Sequence, residues 1–365
     1  MKIPSVRLDL LFKAHSDAYE QKALEILRSG EYILSGEVSA FENAFAAYNG
    51  AKHCTGVACG LDALWIALDA LGIGAGDEVI VQGNTFIATF IAVSKVGATP
   101  VVADVKEDFC IDTDDVRRKI TPKTKAVIVT QLYGLIADMD TLVSLCRDRG
   151  LKLIEDAAQA HGATYRGKKA GTFADAGCFS FYPTKNLGGF GDGGAVITDS
   201  KDLDDRIRVI RNYGNVRRNE AVLVGKNSRL DALQAGLLRV RLNYLDEINA
   251  DKRRIAAFYS SHIKNALVET PVIPDGNTPV WHQYVIKCKK RNELIRFLSD
   301  KGIGTDIHYP VPPHLTKAYE HLGLRAGSLP VTERLSEEIL SLPVWYGLRE
   351  EELNYIVDAI NEFYG

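Results

Sequence analysis

The chain has 365 residues, of which 46% are hydrophobic and 25% charged, and its formal net charge at pH 7 is −3. This length suits one large domain with a smaller companion, and the balanced charge argues against the basic surface of a nucleic-acid-binding protein. No stretch has the length and apolarity of a membrane span or a signal peptide, so we expect no membrane contact and a cytoplasmic protein.

Cysteines and histidines lack the spacings of metal sites. The six cysteines lie singly, with no C-x-x-C pair, and the eight histidines show no H-x-x-x-H or H-E-x-x-H pattern. Scattered cysteines in apolar segments are typical of small buried side chains in a reducing compartment. We therefore predict that no metal is bound.

The first seventy residues predict an arm, two helices and a turn suited to phosphate. An extended arm leads into helices at Ala18–Leu27 and Ala40–Tyr48. Residues 55–60 predict a strand and a glycine turn, and a strong helix follows at Leu61–Leu71. A helix that begins after a glycine turn presents free N–H groups and its positive dipole end to an anion. An ordinary strand-to-helix turn would give the same pattern.

From there strands and helices alternate as far as residue 155. The predicted elements are strands at Glu78–Gln82, Pro100–Ala103, Lys125–Thr130 and Leu151–Glu155, and helices at Thr89–Gly97 and Thr141–Arg149. Alternation with apolar strands predicts a parallel sheet covered on both faces. Ligands of such sheets bind beyond the carboxyl ends of the strands. Asp156 falls at one of these ends, although a carboxylate there could simply cap the next segment.

Lys185 lies in a glycine-dense loop between two strand-like runs, within GCFSFYPTKNLGGFGDGGAVIT at 177–198. Burial in such a loop would lower the pKa of the amine, and a neutral amine can form a Schiff base with a carbonyl. A surface lysine in a flexible turn is the plain alternative. Residues 189–194 also match G-x-G-x-x-G, but that motif requires a following helix and a strand follows here, so we reject a dinucleotide-binding turn.

Beyond this loop the chain predicts a long helix. A charged helix at 201–211 precedes apolar residues that recur every three or four positions from Leu230 to Ile248. That spacing predicts one continuous helix beginning at Asn227-Ser228.

We place the domain boundary close to the end of this helix, near residues 245–250. A large domain, with the arm, would then span 1–245 and a small α+β domain 246–365. The elements predicted in the small domain are a strand at Tyr284–Cys288 and helices at Glu293–Lys301 and Glu350–Phe363.

Three segments of the sequence resemble those of a known family. They are GVACGLDALWIAL (56–68), the stretch 154–198 beginning IEDAAQAHGATYRG, and GKNSRLDALQAGLL (225–238). Together they resemble the DegT/DnrJ/EryC1/StrS family of pyridoxal-phosphate-dependent sugar aminotransferases. YILSGEVSAFENAFA near the start and IHYPVP at 307–312 extend the likeness. It implies the fold-type I architecture of the aspartate aminotransferases: an α/β fold with a mixed, mostly parallel sheet flanked by helices, and a smaller C-terminal α+β domain.

The resemblance also implies roles for the matching residues. Lys185 matches the lysine that holds pyridoxal 5′-phosphate as a Schiff base and moves the substrate proton, and Asp156 matches the acid paired with the pyridine nitrogen. The other implied cofactor contacts are the N–H groups of Gly60 and Leu61 and the Ser180 hydroxyl at the phosphate, Phe86 stacked on the ring, Gln159 at the phenolic oxygen, and Asn227 reaching the phosphate from the partner in a homodimer. Cys59 and Leu61 depart from the family pattern, so Leu61 would offer the phosphate only its N–H.

Because a dehydrating branch of the family has histidine in place of the lysine, Lys185 favours transamination. The resemblance implies a nucleotide-linked keto sugar as acceptor and glutamate as donor. NYG at 212–214, GLDAL at 60–64 and HYP at 308–310 are most similar to enzymes that aminate C3 of dTDP-3-keto-6-deoxyhexoses, for surface polysaccharides or glycosylated metabolites.

Several alternatives stay open. They are C4 amination of a UDP-, GDP- or dTDP-linked keto sugar, a non-catalytic regulator with the same fold, and a sugar-nucleotide oxidoreductase. Tyr182, His308 and Tyr309 are the candidates for substrate binding, and ordinary packing at a domain junction would explain each of them equally well.

Overall fold

The fold is described from a computed structural model, for residues 1–364. The helices in this range are α1 (Asp9–Ala14), α2 (Ser16–Ser29), α3 (Gly36–Asn49), α4 (Gly60–Ala70), α5 (Ala88–Lys95), α6 (Thr113–Lys119), α7 (Met139–Arg149), α8 (Lys201–Ile210), α9 (Ala232–Leu242), α10 (Leu245–His262), α11 (Arg291–Asp300), α12 (Pro330–Glu338) and α13 (Glu350–Glu362). The strands are β1 (His53–Val57), β2 (Glu78–Gln82), β3 (Thr99–Ala103), β4 (Thr124–Thr130), β5 (Lys152–Asp156), β6 (Thr164–Tyr165), β7 (Lys168–Lys169), β8 (Ala176–Ser180), β9 (Gly194–Thr198), β10 (Asn215–Arg217), β11 (Glu220–Ala221), β12 (Asn277–Thr278), β13 (Tyr284–Lys287) and β14 (Ile339–Leu342).

A seven-stranded sheet forms the centre, in the order β1-β9-β8-β5-β4-β2-β3. The five strands from β8 to β3 pair in parallel, whereas β9 runs antiparallel to both of its neighbours, β8 and β1. The prediction of a mixed, mostly parallel sheet is therefore confirmed. The reversed strand arises because β8 and β9 are joined by a loop rather than by a crossover helix.

Both faces of this sheet are buried, as continuous apolar strands require. Val127 and Val129 of β4 belong to one apolar cluster, whose helical members come chiefly from α3, α7 and α9. Ala126 and Ile128 belong to a second cluster with α4, α5 and α8. Because successive side chains of a strand point to opposite faces, the two clusters mark the two helical layers.

A third apolar cluster forms the C-terminal part of the molecule. It joins α10, α11 and α13 to the antiparallel pair β13–β14, and Ile3 of the N-terminal arm is buried within it. The predicted strand and helices of this part correspond to β13, α11 and α13. The exact boundary at 245/246 stays a prediction. Among residues 1–364, no helix combines the length and apolarity needed to cross a membrane.

The long helix predicted from residue 228 to 248 is wrong in its extent. Two helices, α9 and α10, meet at Asn243 and Tyr244, whose N–H groups bond three residues back to Val240 and Arg241. The Tyr244 ring stacks on His15 of the arm at 3.6 Å, which holds the bend. The apolar spacing continues through the bend because both helices pack against buried side chains, so periodicity alone does not reveal it.

Candidate active site

The carboxyl ends of the parallel strands meet at one edge of the sheet, and the predicted site residues follow them. Gly60 comes after β1, Phe86 after β2, Asp156 and Gln159 at and after β5, and Lys185 after β8. The topology therefore brings together residues that are widely separated along the chain, at the edge where such sheets bind ligands.

The loop between β8 and β9 holds Lys185 in a compact turn. The Lys185 N–H donates to the Tyr182 carbonyl at 2.8 Å, and the Gly189 N–H donates to the Phe181 carbonyl at 2.7 Å. Gly188 cannot be replaced without a rearrangement, because a Cβ there would lie 2.3 Å from the Pro183 carbonyl oxygen. The glycines thus allow the chain to fold back on itself beneath the lysine.

The Lys185 amine lies within the molecule although the residue as a whole is half-buried. Burial lowers the pKa of Lys185 to about 8, and the Asp156 carboxylate acts in the opposite direction. The Nε2 atom of His282 lies 3.4 Å from the Lys185 Nζ. Burial, together with the neighbouring Lys185 and Lys252, holds the pKa of His282 well below its usual range, so the ring is neutral. A near-neutral amine beside a neutral imidazole is suited to nucleophilic attack and proton transfer.

Asp156 is buried at the end of β5. Its Oδ2 accepts from the Thr89 hydroxyl at 2.9 Å and its Oδ1 from the Ala158 N–H at 3.3 Å. Burial raises the pKa of the Asp156 carboxyl, while these two bonds and the charge of Lys185 act to lower it. The charge of this carboxyl is only partly neutralised by its surroundings. It is therefore suited to pairing with a cationic group of a ligand.

Gln159 connects the sheet edge to the C-terminal part. Its Oε1 accepts from the Tyr133 N–H at 2.7 Å, and its Nε2 donates to the Tyr309 hydroxyl at 3.1 Å. The Tyr133 hydroxyl in turn donates to the His308 carbonyl. The Tyr309 ring lies 5.4 Å from the ring of Phe86, which is 52% exposed. These residues form one wall of the site, with an open aromatic face.

The other candidates for substrate binding lie around the same opening. His308 is largely buried, and its Nδ1 lies 2.9 Å from the Ser341 hydroxyl. Tyr182, next to the lysine loop, is 53% exposed. The site therefore combines a buried polar floor with an accessible rim.

The predicted phosphate turn is formed by the first turn of α4. Cys59 precedes this helix in an extended conformation, and its side chain makes no capping bond. The first N–H groups of a helix have no partner within it, so those of Gly60 and Leu61 are free to bind an anion. A Cβ on Gly60 would lie 2.6 Å from the Cβ of Ser180, so the Ser180 side chain lies directly beside this turn.

Asn227 is exposed and does not cap a helix, because α9 begins only at Ala232. Ser228 bonds to the same chain's α4: its hydroxyl donates to Asp62 Oδ2 at 2.7 Å and accepts from the Ala58 N–H at 3.1 Å. This places Asn227 one residue away from a group that contacts the phosphate turn. Its reach into a partner subunit stays a prediction.

Sequence reasoning missed His282, Thr89 and Tyr133. His282 lies 97 positions from Lys185 along the chain and belongs to no recognised motif. Thr89 is the last residue of the NTFIAT segment at 84–89 and lies in the first turn of α5, where the sequence carries no sign of a bond to Asp156. Within residues 1–364 no three acidic, histidine or cysteine side chains are grouped so as to hold a metal ion.

Comparison with known proteins gives consistent matches over the whole chain. A model of the DegT/DnrJ/EryC1/StrS aminotransferase family matches residues 14–361. The dTDP-3-amino-3,6-dideoxy-alpha-D-galactopyranose transaminase of Aneurinibacillus thermoaerophilus is 44% identical over 362 residues, covering 99% of each chain. The dTDP-3-amino-3,4,6-trideoxy-alpha-D-glucose transaminase of Streptomyces venezuelae is 43% identical, covering 99% of this chain and 96% of its own. The crystal structure of DesV from S. venezuelae superimposes with a TM-score of 0.97, at 43% identity over 99% of this chain and 98% of its own.

Proposed function

Because the chain belongs to the DegT/DnrJ/EryC1/StrS aminotransferase family, we propose that it aminates C3 of a dTDP-linked 3-keto-6-deoxyhexose. The observation that carries this proposal is the 44% and 43% identity, over 99% of the chain, to two transaminases whose names specify dTDP-3-amino sugars. Both of those enzymes act at C3, so C3 is favoured over C4. The protein is an enzyme of a family that depends on pyridoxal phosphate, which favours transamination over the alternatives of a non-catalytic regulator and an oxidoreductase.

The residues at the sheet edge fit pyridoxal phosphate. The first turn of α4 offers N–H groups beside Ser180, and only glycine at position 60 allows Ser180 to approach this turn so closely. Asp156 is a buried carboxyl within the field of Lys185, and Phe86 presents an open aromatic face. When bound, the cofactor supplies an electron sink for the substrate carbon that loses a proton.

We assign the covalent hold on the cofactor and the movement of the substrate proton to Lys185. Its lowered pKa supports this role, because an amine with a pKa of about 8 is partly neutral at physiological pH. Asp156 would keep the pyridine nitrogen protonated, and the hydroxyl of Thr89 orients its carboxylate. Gln159 would bond to the phenolic oxygen, since Tyr133 and Tyr309 fix both ends of its amide.

Tyr182, His308 and Tyr309 are proposed to contact the sugar nucleotide. The Tyr182 carbonyl accepts from the Lys185 N–H, His308 lines the cavity beside Lys185, and Tyr309 bonds to the same Gln159 that would contact the cofactor. This arrangement would link substrate position to cofactor position. The amino donor is proposed to be glutamate.

We further propose a homodimer in which Asn227 reaches the cofactor phosphate of the partner. Support comes from apolar side chains exposed near it on the hairpin β10–β11 and beyond: Val216, Val222 and Val224 are 48%, 60% and 90% exposed. Exposed apolar patches mark interaction surfaces in soluble proteins. A reducing, cytoplasmic location is supported by the six cysteines, all unpaired in the described part of the chain and five of them buried.

The test is direct assay of the purified enzyme with pyridoxal phosphate, glutamate and a dTDP-linked 3-keto-6-deoxyhexose. Nuclear magnetic resonance of the product should show nitrogen on C3, and Lys185→Ala should give no product. Matched UDP- and GDP-linked keto sugars, and 4-keto isomers, serve as competing acceptors. Amination at C4, or a clear preference for another nucleotide, would overturn the proposal.

A further inference from the structure

A cavity of about 130 Å³ opens beside the Lys185 amine and extends away from the phosphate turn. Its walls come from the N-terminal arm at residues 5–8, the lysine loop at 184–186, the α9 and α10 helices at 241–252, and the C-terminal part at 282–283, 306, 308 and 341–346. None of Gly60, Leu61 or Ser180 lines it. The cavity is therefore a space next to the reacting amine that the cofactor phosphate does not fill.

Two cations on the walls of this cavity have no acidic partner. Arg241 donates through Nη1 to the Gly188 carbonyl at 2.7 Å, but its buried Nε has no partner. Lys252 is only 7% exposed and donates to the carbonyl of Val344 at 2.8 Å, and burial lowers its pKa to about 7, so a bound anion would favour its charged form. Placing cations away from water is unfavourable unless an opposite charge accompanies them.

Two further residues that line the cavity carry buried nitrogens without a partner. The indole Nε1 of Trp345 is buried and has no partner. His282 is neutral, and its Nε2 lies 3.4 Å from the Lys185 amine. When Nε2 accepts from a protonated Lys185, the ring hydrogen is on Nδ1, which is buried and without a partner. That nitrogen is then a donor as well.

The acidic side chains that line the cavity do not balance these basic groups and N–H donors. Arg7 lines the cavity too, but both oxygens of Asp9 already bind it, at 2.7 and 2.8 Å. Asp306 is the carboxylate among the lining residues; its side chain is 63% exposed, and it accepts from the Ile307 N–H. The amide oxygen of Asn186 is buried without a partner and is a neutral acceptor. The residues that line the cavity thus have a surplus of basic groups and of buried N–H donors over carboxylates.

We propose that this cavity binds the carboxylates of a dicarboxylic amino acid, the donor of the amino group. The inference rests on the transamination proposed above, because the donor nitrogen must come to the place of the Lys185 amine. A molecule held there by its nitrogen would extend its carboxylates towards Arg241 and Lys252. A guanidinium edge and a buried ammonium are the groups that proteins use to bind carboxylates.

Separate measurement of the two half-reactions distinguishes a role in binding the amino donor from a role elsewhere in the active site. The donor half-reaction, followed by loss of the visible absorbance of the pyridoxal form, should have a kcat/KM for glutamate about 10- to 100-fold lower in Arg241→Met and in Lys252→Met, the usual effect of a lost bond to a charged group. The acceptor half-reaction, started from the pyridoxamine form with keto sugar, should stay within about 2-fold of wild type. Arg241→Lys should recover part of the loss.

Arg239→Met is the matched control, because Arg239 lies on the same helix but pairs with Glu37 at 2.9 Å. It should leave both half-reactions unchanged. Glutarate, which has two carboxylates and no amine, is the probe for binding by calorimetry to the pyridoxal form. Wild type and Arg239→Met should bind it, and Arg241→Met should bind about 10-fold more weakly or not at all.

The outcomes distinguish the two proposals. If wild type accepts amino groups from no amino acid, the proposed function fails. If wild type reacts with glutamate but both cavity variants match it, or slow both half-reactions equally, the function stands and the cavity assignment is overturned. A wild-type preference for alanine over glutamate, with no binding of glutarate, would overturn it as well.

Discussion

Lys185 and Asp156 influence each other through the space that the cofactor would occupy. Burial makes the charged form of each less favourable, and each charge partly offsets that effect on the other. Burial therefore shifts the pKa of both groups away from their ordinary values, a common property of catalytic residues.

The capture of pyridoxal phosphate by cofactor-free protein should depend on pH through Lys185. Its pKa is lowered to about 8, so the reactive neutral amine is scarce below that pH and predominates above it. The capture rate should rise about tenfold per pH unit below the midpoint and level off above it. Rapid-mixing absorbance measurements would give the midpoint, and Lys185→Ala is the control without the rise. A midpoint near 10.5, the ordinary value, would contradict the burial of this amine.

Replacing Asp156 by Asn should keep the cofactor bound but lower transamination by about 100- to 1,000-fold, the scale of other preorganised electrostatic contacts. Thr89→Val is the matched control, because it removes one bond to the carboxylate and leaves the charge. Its loss should be only about 5- to 10-fold. Steady-state kinetics and the amount of bound cofactor give both readouts. An Asp156→Asn enzyme within about 3-fold of wild type would show a merely structural carboxyl.

For individual residues, the sequence predicts those that lie within one continuous motif. It misses the residues that the fold brings to the site from distant parts of the chain. Lys185, Asp156 and Gln159 stand within 30 positions of each other, and their neighbours carry a recognisable pattern. The bond from Gln159 to Tyr309 spans 150 positions, and that from Lys185 to His282 spans 97. Such contacts depend on the docking of separate elements, which no local spacing records.

The first turn of α4 and the end of β8 are the two elements whose close approach shapes the phosphate turn. Gly60→Ala would put a methyl group 2.6 Å from the Ser180 Cβ. We expect a loss of about 1–3 kcal/mol in the free energy of unfolding, as in other overpacked sites, and weaker cofactor binding.

Gly36→Ala is the control for this substitution. It stands at the start of α3 with no heavy atom within 4 Å of the new Cβ, and it should be neutral or slightly stabilising. Urea unfolding and cofactor titration of both variants check the pair. Equal effects of the two substitutions would show that the contact with Ser180 is unimportant.

Among the elements, strongly patterned segments were the easiest to predict. β2 was predicted to the residue, and α13 and β13 to within one residue at either end. The helix predicted across 243–244 was not found as one, because the bend depends on the stacking of Tyr244 on His15, more than 200 positions away. Short elements such as α6 and β14 were missed, since they carry little periodicity of their own.

For the whole molecule, we predict that each active site uses residues from two chains. Lys185→Ala and Asn227→Asp chains should each be inactive, the second because a carboxylate would repel the cofactor phosphate. A purified heterodimer should recover about half of wild-type activity, since one of its two sites would have both intact residues. Activity is measured on heterodimers separated by two affinity tags. No recovery would assign Asn227 to its own subunit's site or to none.

The separation of the site residues along the chain has a consequence for synthesis on the ribosome. The groups that would hold the cofactor, apart from Asn227, lie before residue 186, and the sheet that carries them is complete with β9 at Thr198. The cavity walls at 282, 306–308 and 341–346 emerge only near the end of translation. Since domains fold as units while the chain is still growing, we expect the nascent protein to acquire the cradle for its cofactor well before the compartment for its amino donor.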